Sequence, residues 1–587
     1  MTESGWMGRP RSYWVGRLRQ DVFDLIIIGG GITGAGIARE AALAGLRVAV
    51  LEAADFAAGT SSRSTKLIHG GLRYLAQGHV RLVREAGTER AVLRRLAPHL
   101  VEPVPFLLPI YQGMQHGKLA MSTAIWLYDR LAGVAKAERR QVLSAAELLQ
   151  THPQLAPQGL QGGVLYHEYV TDDARLTLAT LQSAAEWGAV ALNDCPVQQL
   201  LTADGKLCGV VGYDRVTGQP IVVSGRAVVN AAGPWIEHVL ALEAAPGELS
   251  QHSGGQQVAA SRQNDRLLPD DNTPASDGRT LARAPNSASS RVTHSRGIHL
   301  SFDAERLPLP HALAVQTPDG RLVFLIPKGD ITYVGTTDQR YDGDLQHPVV
   351  PSGEIDYLLS IANGLRPDLH LTGEDVIGIW SGVRPLVKEE KQDTKDVSRE
   401  DEIWVSPAGL ITIAGGKLTA YRKMAERVLA TVREQLGVGG DWQRRDELSA
   451  SLPLYGAKSI PGTDIAKWWQ SELKRLTDRH AVAETDARAL LHRYGDRVEA
   501  VLSCGAAKRL VPSVPLLEAE IPYMVQHEQA NHLDDIIGRR TELGRFRGRQ
   551  LRELITLVSQ RMAPLLGWTE PVREQEVERS LRECHVT

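Results

Sequence analysis

The chain has 587 residues, with 66 Lys and Arg against 69 Asp and Glu and a formal charge of −3. That length supports more than one buried core, and the near-neutral balance excludes a dedicated nucleic-acid binder, which carries a strongly basic face. Hydrophobic residues make up 43% and the mean hydropathy is −0.19: the chain is not globally disordered, and it lacks the ~20-residue apolar run of a transmembrane helix.

The first twenty residues carry Arg9, Arg11, Arg17 and Arg19 but no apolar signal core, and read as a ragged N-terminal extension. Val22 to Ile28 is a buried-strand run that leads straight into Gly29, Gly31 and Gly34. An Ala-rich helix follows from Ala35 to Ala44, stopped by Gly45, and Leu46 to Leu51 is a second strand ending on Glu52. Leu93 to Gly117 mixes Pro with apolar residues and reads as irregular. Lys118 to Leu131 is an amphipathic helix, with a core-packing reading and a membrane-contacting one. Thr171 to Gly188 reads as a helix opening on Thr171, Asp172 and Asp173 as caps, and Val222 to Ala232 as one strand. Ala244 to Ser290 is rich in Ser, Gln, Asn, Asp, Pro and Gly and reads as a flexible insertion. Strands resume at Gly297 to Phe302, Arg321 to Ile326, Ile331 to Thr336 and Leu410 to Ala414, followed by Gly415, Gly416 and a helix from about Thr419 to Leu436. From Asp441 onward helical patterns dominate. The division expected is an extension over 1–20, interleaved nucleotide and substrate domains over 21–440, and a helical domain over 441–587. Four scattered cysteines, Cys195, Cys208, Cys504 and Cys584, exclude a disulfide framework, a zinc ribbon and an iron–sulfur cluster; no metal site is expected.

A lone Gly-x-Gly-x-x-Gly is weak, but here it follows a strand, opens a helix and precedes a strand ending in an acid. Glycines at 29, 31 and 34 permit the tight turn and close backbone approach to a pyrophosphate; the helix start offers free N–H groups, and Glu52 a carboxylate for a ribose. The motif alone does not separate FAD from NAD. A second strand–glycine–helix element near residue 411 fits a flavoprotein, with one end of the cofactor at each turn. Thr60 to Leu75, dense in hydroxyls and then cations, has two readings, a flavin or phosphate loop and a polar surface loop.

Several of these segments share a resemblance. IIGGGITGAGIA at 27–38, KLIHGGLRYL at 66–75, DDARL at 172–176, NAAGPW at 230–235, IPKGDITYVGTTD at 326–338, SGVRPL at 381–386, GGKLTAYRKMA at 415–425 and the segment 519–541 resemble, in order, the FAD-dependent glycerol-3-phosphate dehydrogenase family, the respiratory and quinone-linked kind. The resemblance spans about residues 21 to 560. It implies an α/β and α+β fold: a Rossmann-type FAD domain of the glutathione-reductase and amine-oxidase kind, a β-sheet substrate domain and a C-terminal all-α domain. It implies oxidation of glycerol 3-phosphate to dihydroxyacetone phosphate, hydride passing to FAD and electrons on to a quinone, with peripheral contact to the inner face of the cell membrane and a homodimer. An oxidase that uses oxygen and makes hydrogen peroxide is the alternative on the same scaffold, and the insertion and N-terminal extension depart from the family pattern.

By this resemblance Gly29, Gly31, Gly34 and Glu52 hold the adenine half of FAD, with Val197 at adenine. Thr60, Ser61, Ser62 and Lys66 lie along the pyrophosphate and flavin, and Lys417, Thr419 and Asp338 serve the cofactor from the later motifs. Arg73, Tyr74, Arg384, Arg399 and Lys417 surround the substrate, whose dianionic phosphate calls for guanidinium forks and lysine charge. His299 and His69 are the candidates for taking the hydroxyl proton, each also readable as a plain hydrogen-bond partner of flavin or backbone. Arg384 is suited to stabilising the developing alkoxide.

Overall fold

The computed structural model describes residues 9–70, 80–114, 117–153, 155–244, 246–248, 291–317, 321–388, 401–439, 443–462 and 464–585. Arg73, Tyr74, Arg399 and almost all of the expected insertion lie outside them. Three sheets organise the described chain.

The first is a six-stranded sheet in the order 401–405, 410–415, 228–230, 25–28, 48–51 and 190–192. Asp401–Val405 is antiparallel to its neighbour and the other five strands run parallel. Such a sheet must be covered on both faces, which explains the continuous apolar run Leu25–Ile28, every residue of it buried. Ile32–Leu43 is the helix after the glycine turn, and only Thr33 of it escapes burial. It packs between Asp173–Glu186 and Tyr421–Leu436. Its small residues make that possible: a Cβ on Gly36 would stand 2.7 Å from the Tyr421 ring.

The expected strand Val22–Ile28 is two strands. Val22–Phe23 belongs to a five-stranded sheet, pairing with Ser224 and Gly225, whereas Leu25–Ile28 pairs with Val228–Asn230 in the six-stranded sheet. The Val222–Ala232 run divides in the same way, into Gln219–Gly225 and Val228–Asn230. Both chains cross between sheets side by side at Asp24 and Arg226, whose side chains meet at 3.4 Å. Periodicity carries no mark of such a crossing, because the residues on either side are equally apolar.

The third sheet has ten strands. Val292–Asp303 pairs along its length with Gly378–Val387 and partly with Ile331–Gly335. Val101–Tyr111 pairs with Leu160–Thr171, which corrects the irregular reading of Leu93–Gly117. Pro103, Pro105 and Pro109 suggested a broken segment, but they sit at alternate positions, so the missing N–H groups fall on one edge of the strand. The N-terminal extension is also corrected. Arg11–Gln20 is a helix that buries Trp14, Val15 and Leu18 and is pinned by Arg11 to Asp214 at 2.7 Å.

Beyond residue 443 the described chain is helical, and one apolar cluster from Leu476 to Cys584 forms its own core. Charged pairs join it to the sheet domains. His532 links Asp194 and Glu576, at 3.4 and 3.0 Å. Burial alone would lower its pKa, but hydrogen bonds to these two carboxylates outweigh that and push it up to about 9. A folded pKa above the unfolded value of 6.5 gives stability that is complete below pH 6.5 and lost as pH rises through 9. The thermal midpoint is therefore expected to fall from pH 6.5 to 9, and to fall less in His532→Gln; equal slopes in the two proteins would remove His532 from the account.

Candidate active site

Leu25–Ile28, Val228–Asn230 and Leu410–Gly415 are parallel neighbours in register, so their carboxyl ends share one edge of the sheet. Gly29, Ala231 and Gly416 follow directly at that edge, where open α/β sheets bind ligands. A cavity of about 1810 Å³ opens there and runs on toward the ten-stranded sheet. An ordinary small-molecule pocket is about 300–1,000 Å³, so this one has room for an extended dinucleotide and a second molecule.

The turn is built for close approach. Gly29 has φ +112°, and a Cβ there would lie 2.5 Å from the Ala231 carbonyl oxygen. Gly31 caps the helix start, where the Ile32 N–H donates to Ser61 Oγ at 2.9 Å. Glu52 accepts from the Gly30 and Ala54 N–H groups at 2.6 and 2.9 Å, while burial pushes its carboxyl above the usual range. Gly29, Gly31, Glu52, Thr60, Ser61 and Val197 all line the cavity. A glycine cradle, a helix start and a carboxylate in this arrangement fit a dinucleotide with its pyrophosphate on the helix.

Gly34 does not line the cavity. A Cβ there would be 2.0 Å from the Gly29 carbonyl oxygen, so this glycine serves helix-to-turn packing. Ser62 is buried behind the loop with its hydroxyl unpartnered. Lys66 is also away from the cavity: its ammonium is buried 2.6 Å from Asp173 and 2.6 Å from Glu542. Burial would lower its pKa, but those two carboxylates hold it above the ordinary lysine value. A lysine in a hydroxyl-rich loop looks like a phosphate ligand in sequence; the acids that claim it lie about a hundred and several hundred positions away.

On the ten-stranded sheet, Arg384 Nη2 donates to Thr336 Oγ1 at 3.0 Å, and Nη1 is 3.4 Å from Asp338 Oδ1. Arg321 donates to the Asp338 carbonyl at 2.9 Å. All four residues line the cavity, with Lys417 and His69. Asp338, expected on the cofactor, therefore orients the two guanidinium groups. Thr419 hydroxyl exchanges hydrogen bonds with the His69 backbone at 3.1 and 3.2 Å, joining the late glycine turn to the 60–69 loop.

His299 does not face the cavity. It is 1% exposed and stacked on Trp380, with ring centroids 4.7 Å apart. Burial first, then Arg384 and Lys66, push its pKa well below 6.5, so the imidazole is neutral. Its Nε2 lies 2.9 Å from Thr65 Oγ1, and Thr65 and Trp380 do line the cavity. Thr65 lies within the hydroxyl run, which is its one signal in the sequence, but is not among the residues expected at the site. Arg321 and Trp380 had no local signal; strand register alone brings them to the wall.

Comparison with known proteins agrees with this geometry. The model of FAD-dependent oxidoreductases matches residues 24–282 and 274–422, and that of the C-terminal domain of alpha-glycerophosphate oxidase matches 448–573. An aerobic glycerol-3-phosphate dehydrogenase of Bacillus subtilis is 39% identical over 96% of this chain and 94% of its own. The chain belongs to the FAD-dependent glycerol-3-phosphate dehydrogenase family. A family relative from Staphylococcus aureus is 36% identical over 97% of this chain and 96% of its own. The structure of the glycerol-3-phosphate dehydrogenase from Bacillus halodurans complexed with FAD superposes with a TM-score of 0.76 at 31% identity, covering 99% of this chain and 98% of that one. FAD is the cofactor, and the fold is that of this family, mixed sheets with a C-terminal helical domain. Among the described residues no helix is long and apolar enough to cross a membrane.

Proposed function

We propose that this protein oxidises sn-glycerol 3-phosphate at its secondary alcohol to dihydroxyacetone phosphate and passes the electron pair, by way of FAD, to a membrane quinone. The observation that carries this reading is the meeting of Arg384, Arg321 and Lys417 with a dinucleotide turn in one cavity. Fixed cations at the wall suit an anionic phosphate ester and leave an amine or a neutral alcohol without a partner. FAD supplies the acceptor for the hydride leaving C2.

The chain supplies the rest. Arg384, held by Thr336 and Asp338, lowers the pKa of the alcohol and stabilises negative charge on its oxygen. Thr65 Oγ1, 2.9 Å from His299 Nε2, orients the alcohol, and the hydroxyl proton passes to His69, which lines the cavity on the loop tied to Thr419. Arg73, Tyr74 and Arg399 complete the substrate cluster in this reading.

Support for a quinone comes from the helix Lys118–Leu131. Met121 and Ala124 line the cavity, while Leu119 and Trp126 on the same helix are 83% and 45% exposed. The wall there, with Leu108, Leu322 and Phe324, is apolar, which a triose phosphate does not need and an isoprenoid quinone does. Anaerobic titration of the yellow protein tests the reading. Glycerol 3-phosphate is expected to bleach the flavin band, and a quinone analogue to restore it. Bleaching only by unphosphorylated substrates would overturn the substrate; rapid peroxide formation in air with no response to quinone would make the protein an oxidase.

A further inference from the structure

Asp172, Asp173 and Glu542 each bring a carboxylate oxygen within 4.8 Å of the others, in the seam between the sheet domains and the helical domain. Like charges this close need a cation or a proton. Both are supplied from the chain. The Lys66 ammonium, 1% exposed, sits 2.6 Å from Asp173 and 2.6 Å from Glu542, and Lys328 reaches the second Glu542 oxygen at 2.5 Å. Burial, and then Glu542, push the carboxyl of Asp172 above the usual carboxylate range, toward the protonated form. Lys66 and Glu542 both adopt left-handed backbone, φ +60° and +58°, a conformation that favours glycine. Two side-chain-bearing residues held in this way meet at one ion pair.

The pair does not end in the seam. Asp173 Oδ2 accepts from Ser64, from its N–H at 3.1 Å and from its hydroxyl at 2.6 Å. The Ser64 carbonyl accepts from Trp380 Nε1 at 3.2 Å. Thr65, next along, meets His299 at 2.9 Å, and its carbonyl accepts from Tyr333 at 3.2 Å. Ser64, Thr65, Asp173 and Trp380 are wall residues of the cavity. A single carboxylate of the helical domain thus reaches the wall at Asp173 in two contacts, through Lys66, and Ser64 in three.

We propose that Glu542 is a positioning residue of the active site: through Lys66 and Asp173 it holds Ser64 and Thr65, and with them the His299–Trp380 stack, in place against the flavin and substrate. Glu542 then acts on the reaction without lining the cavity. This rests on the flavin reading of the cavity and goes beyond it, because none of the family motifs quoted above includes residue 542.

The test uses FAD-loaded protein and reads the flavin as well as the rate. In Glu542→Gln the flavin absorption band is expected to shift, because the wall beside it has moved. Anaerobic bleaching by glycerol 3-phosphate is expected to slow by about 10²-fold, the cost of a misplacement near 1 Å, with substrate affinity little changed. Lys328→Met removes only the exposed partner of Glu542 and is expected to keep the wild-type band and rate. A Glu542→Gln protein with a lowered thermal midpoint but an unaltered band and rate would make the residue merely structural and overturn the proposal. Should that variant not fold, Glu542→Asp, which keeps the charge one methylene short, is read instead: an intermediate rate and a shifted band support positioning, and wild-type values overturn it. If glycerol 3-phosphate fails to bleach the wild type, the substrate reading falls; the positioning claim is then decided by the band in Glu542→Gln against Lys328→Met.

Discussion

Arg384→Ala is expected to slow bleaching of the flavin by glycerol 3-phosphate about 10²–10³-fold, the usual cost of deleting one preorganised donor to developing charge, while the purified protein stays yellow. The two halves of this expectation have separate causes. Arg384 lies on the strand Gly378–Val387 of the ten-stranded sheet, and its guanidinium is directed by Thr336 and Asp338 rather than by the glycine turn. Removing it therefore leaves the turn, Ser61 and Glu52 untouched. The strand itself survives, because its backbone pairing with Val292–Asp303 does not involve the side chain. Stopped-flow absorbance gives the rate, and the ratio of flavin to protein absorbance gives the cofactor content. Normal bleaching would remove Arg384 from the reaction; a colourless protein would place it with the cofactor instead.

Asp55→Asn is expected to lower stability by about 3–5 kcal/mol, the cost of stranding buried charge. Asp55 is 1% exposed and lies three residues after Glu52. Its carboxylate accepts from Arg539 at 2.6 Å and from Arg540 at 2.5 and 2.8 Å. Burial would raise its pKa, but the two guanidinium groups hold it below the ordinary carboxylate range. The amide keeps the shape and loses the charge. Arg539 retains Asp534 and Asp535, whereas Arg540 is left with the Glu528 backbone carbonyl at 2.8 Å and its carboxylate at 3.5 Å, so the loss of charge pairing falls mainly on Arg540. Because Asp55 also lines the cavity, opening of this seam is expected to release FAD. A thermal ramp followed by flavin fluorescence should show release at a lower temperature than in the wild type, and an unchanged ramp would mean that the remaining acids suffice.

Much of the cofactor half was readable from sequence because its logic is local. Gly29 and Gly31 are glycines for reasons that lie within a few bonds, a left-handed φ and a helix start, and Glu52 follows from the end of the next strand. Gly34 was recognised as part of the pattern for the right motif but in the wrong role, since its neighbour is the backbone of Gly29 and not a ligand. The substrate half was less legible. Arg384 and Lys417 lie in recognisable motifs, yet Arg321 and Trp380 reach the wall only through register in the ten-stranded sheet, and a period-two pattern says which face a residue takes and nothing of what stands opposite.

Charge and burial mark the same boundary. Sequence by itself determined the nucleotide turn, the family, the helical character of the last part of the chain and the need for cations at a phosphate. It could not distinguish Lys66 from Arg384, because both are cations in family-like loops. Tertiary structure decided between them: Lys66 meets Asp173 and Glu542 in a dry seam, where a buried ammonium persists only against carboxylates, while Arg384 lines the cavity beside Thr336 and Asp338. It decided equally that His299 stacks behind Trp380 and addresses the cavity through Thr65. Both outcomes depend on side chains from distant parts of the chain meeting at under 3 Å, and partnership at that range is a property of the packed fold.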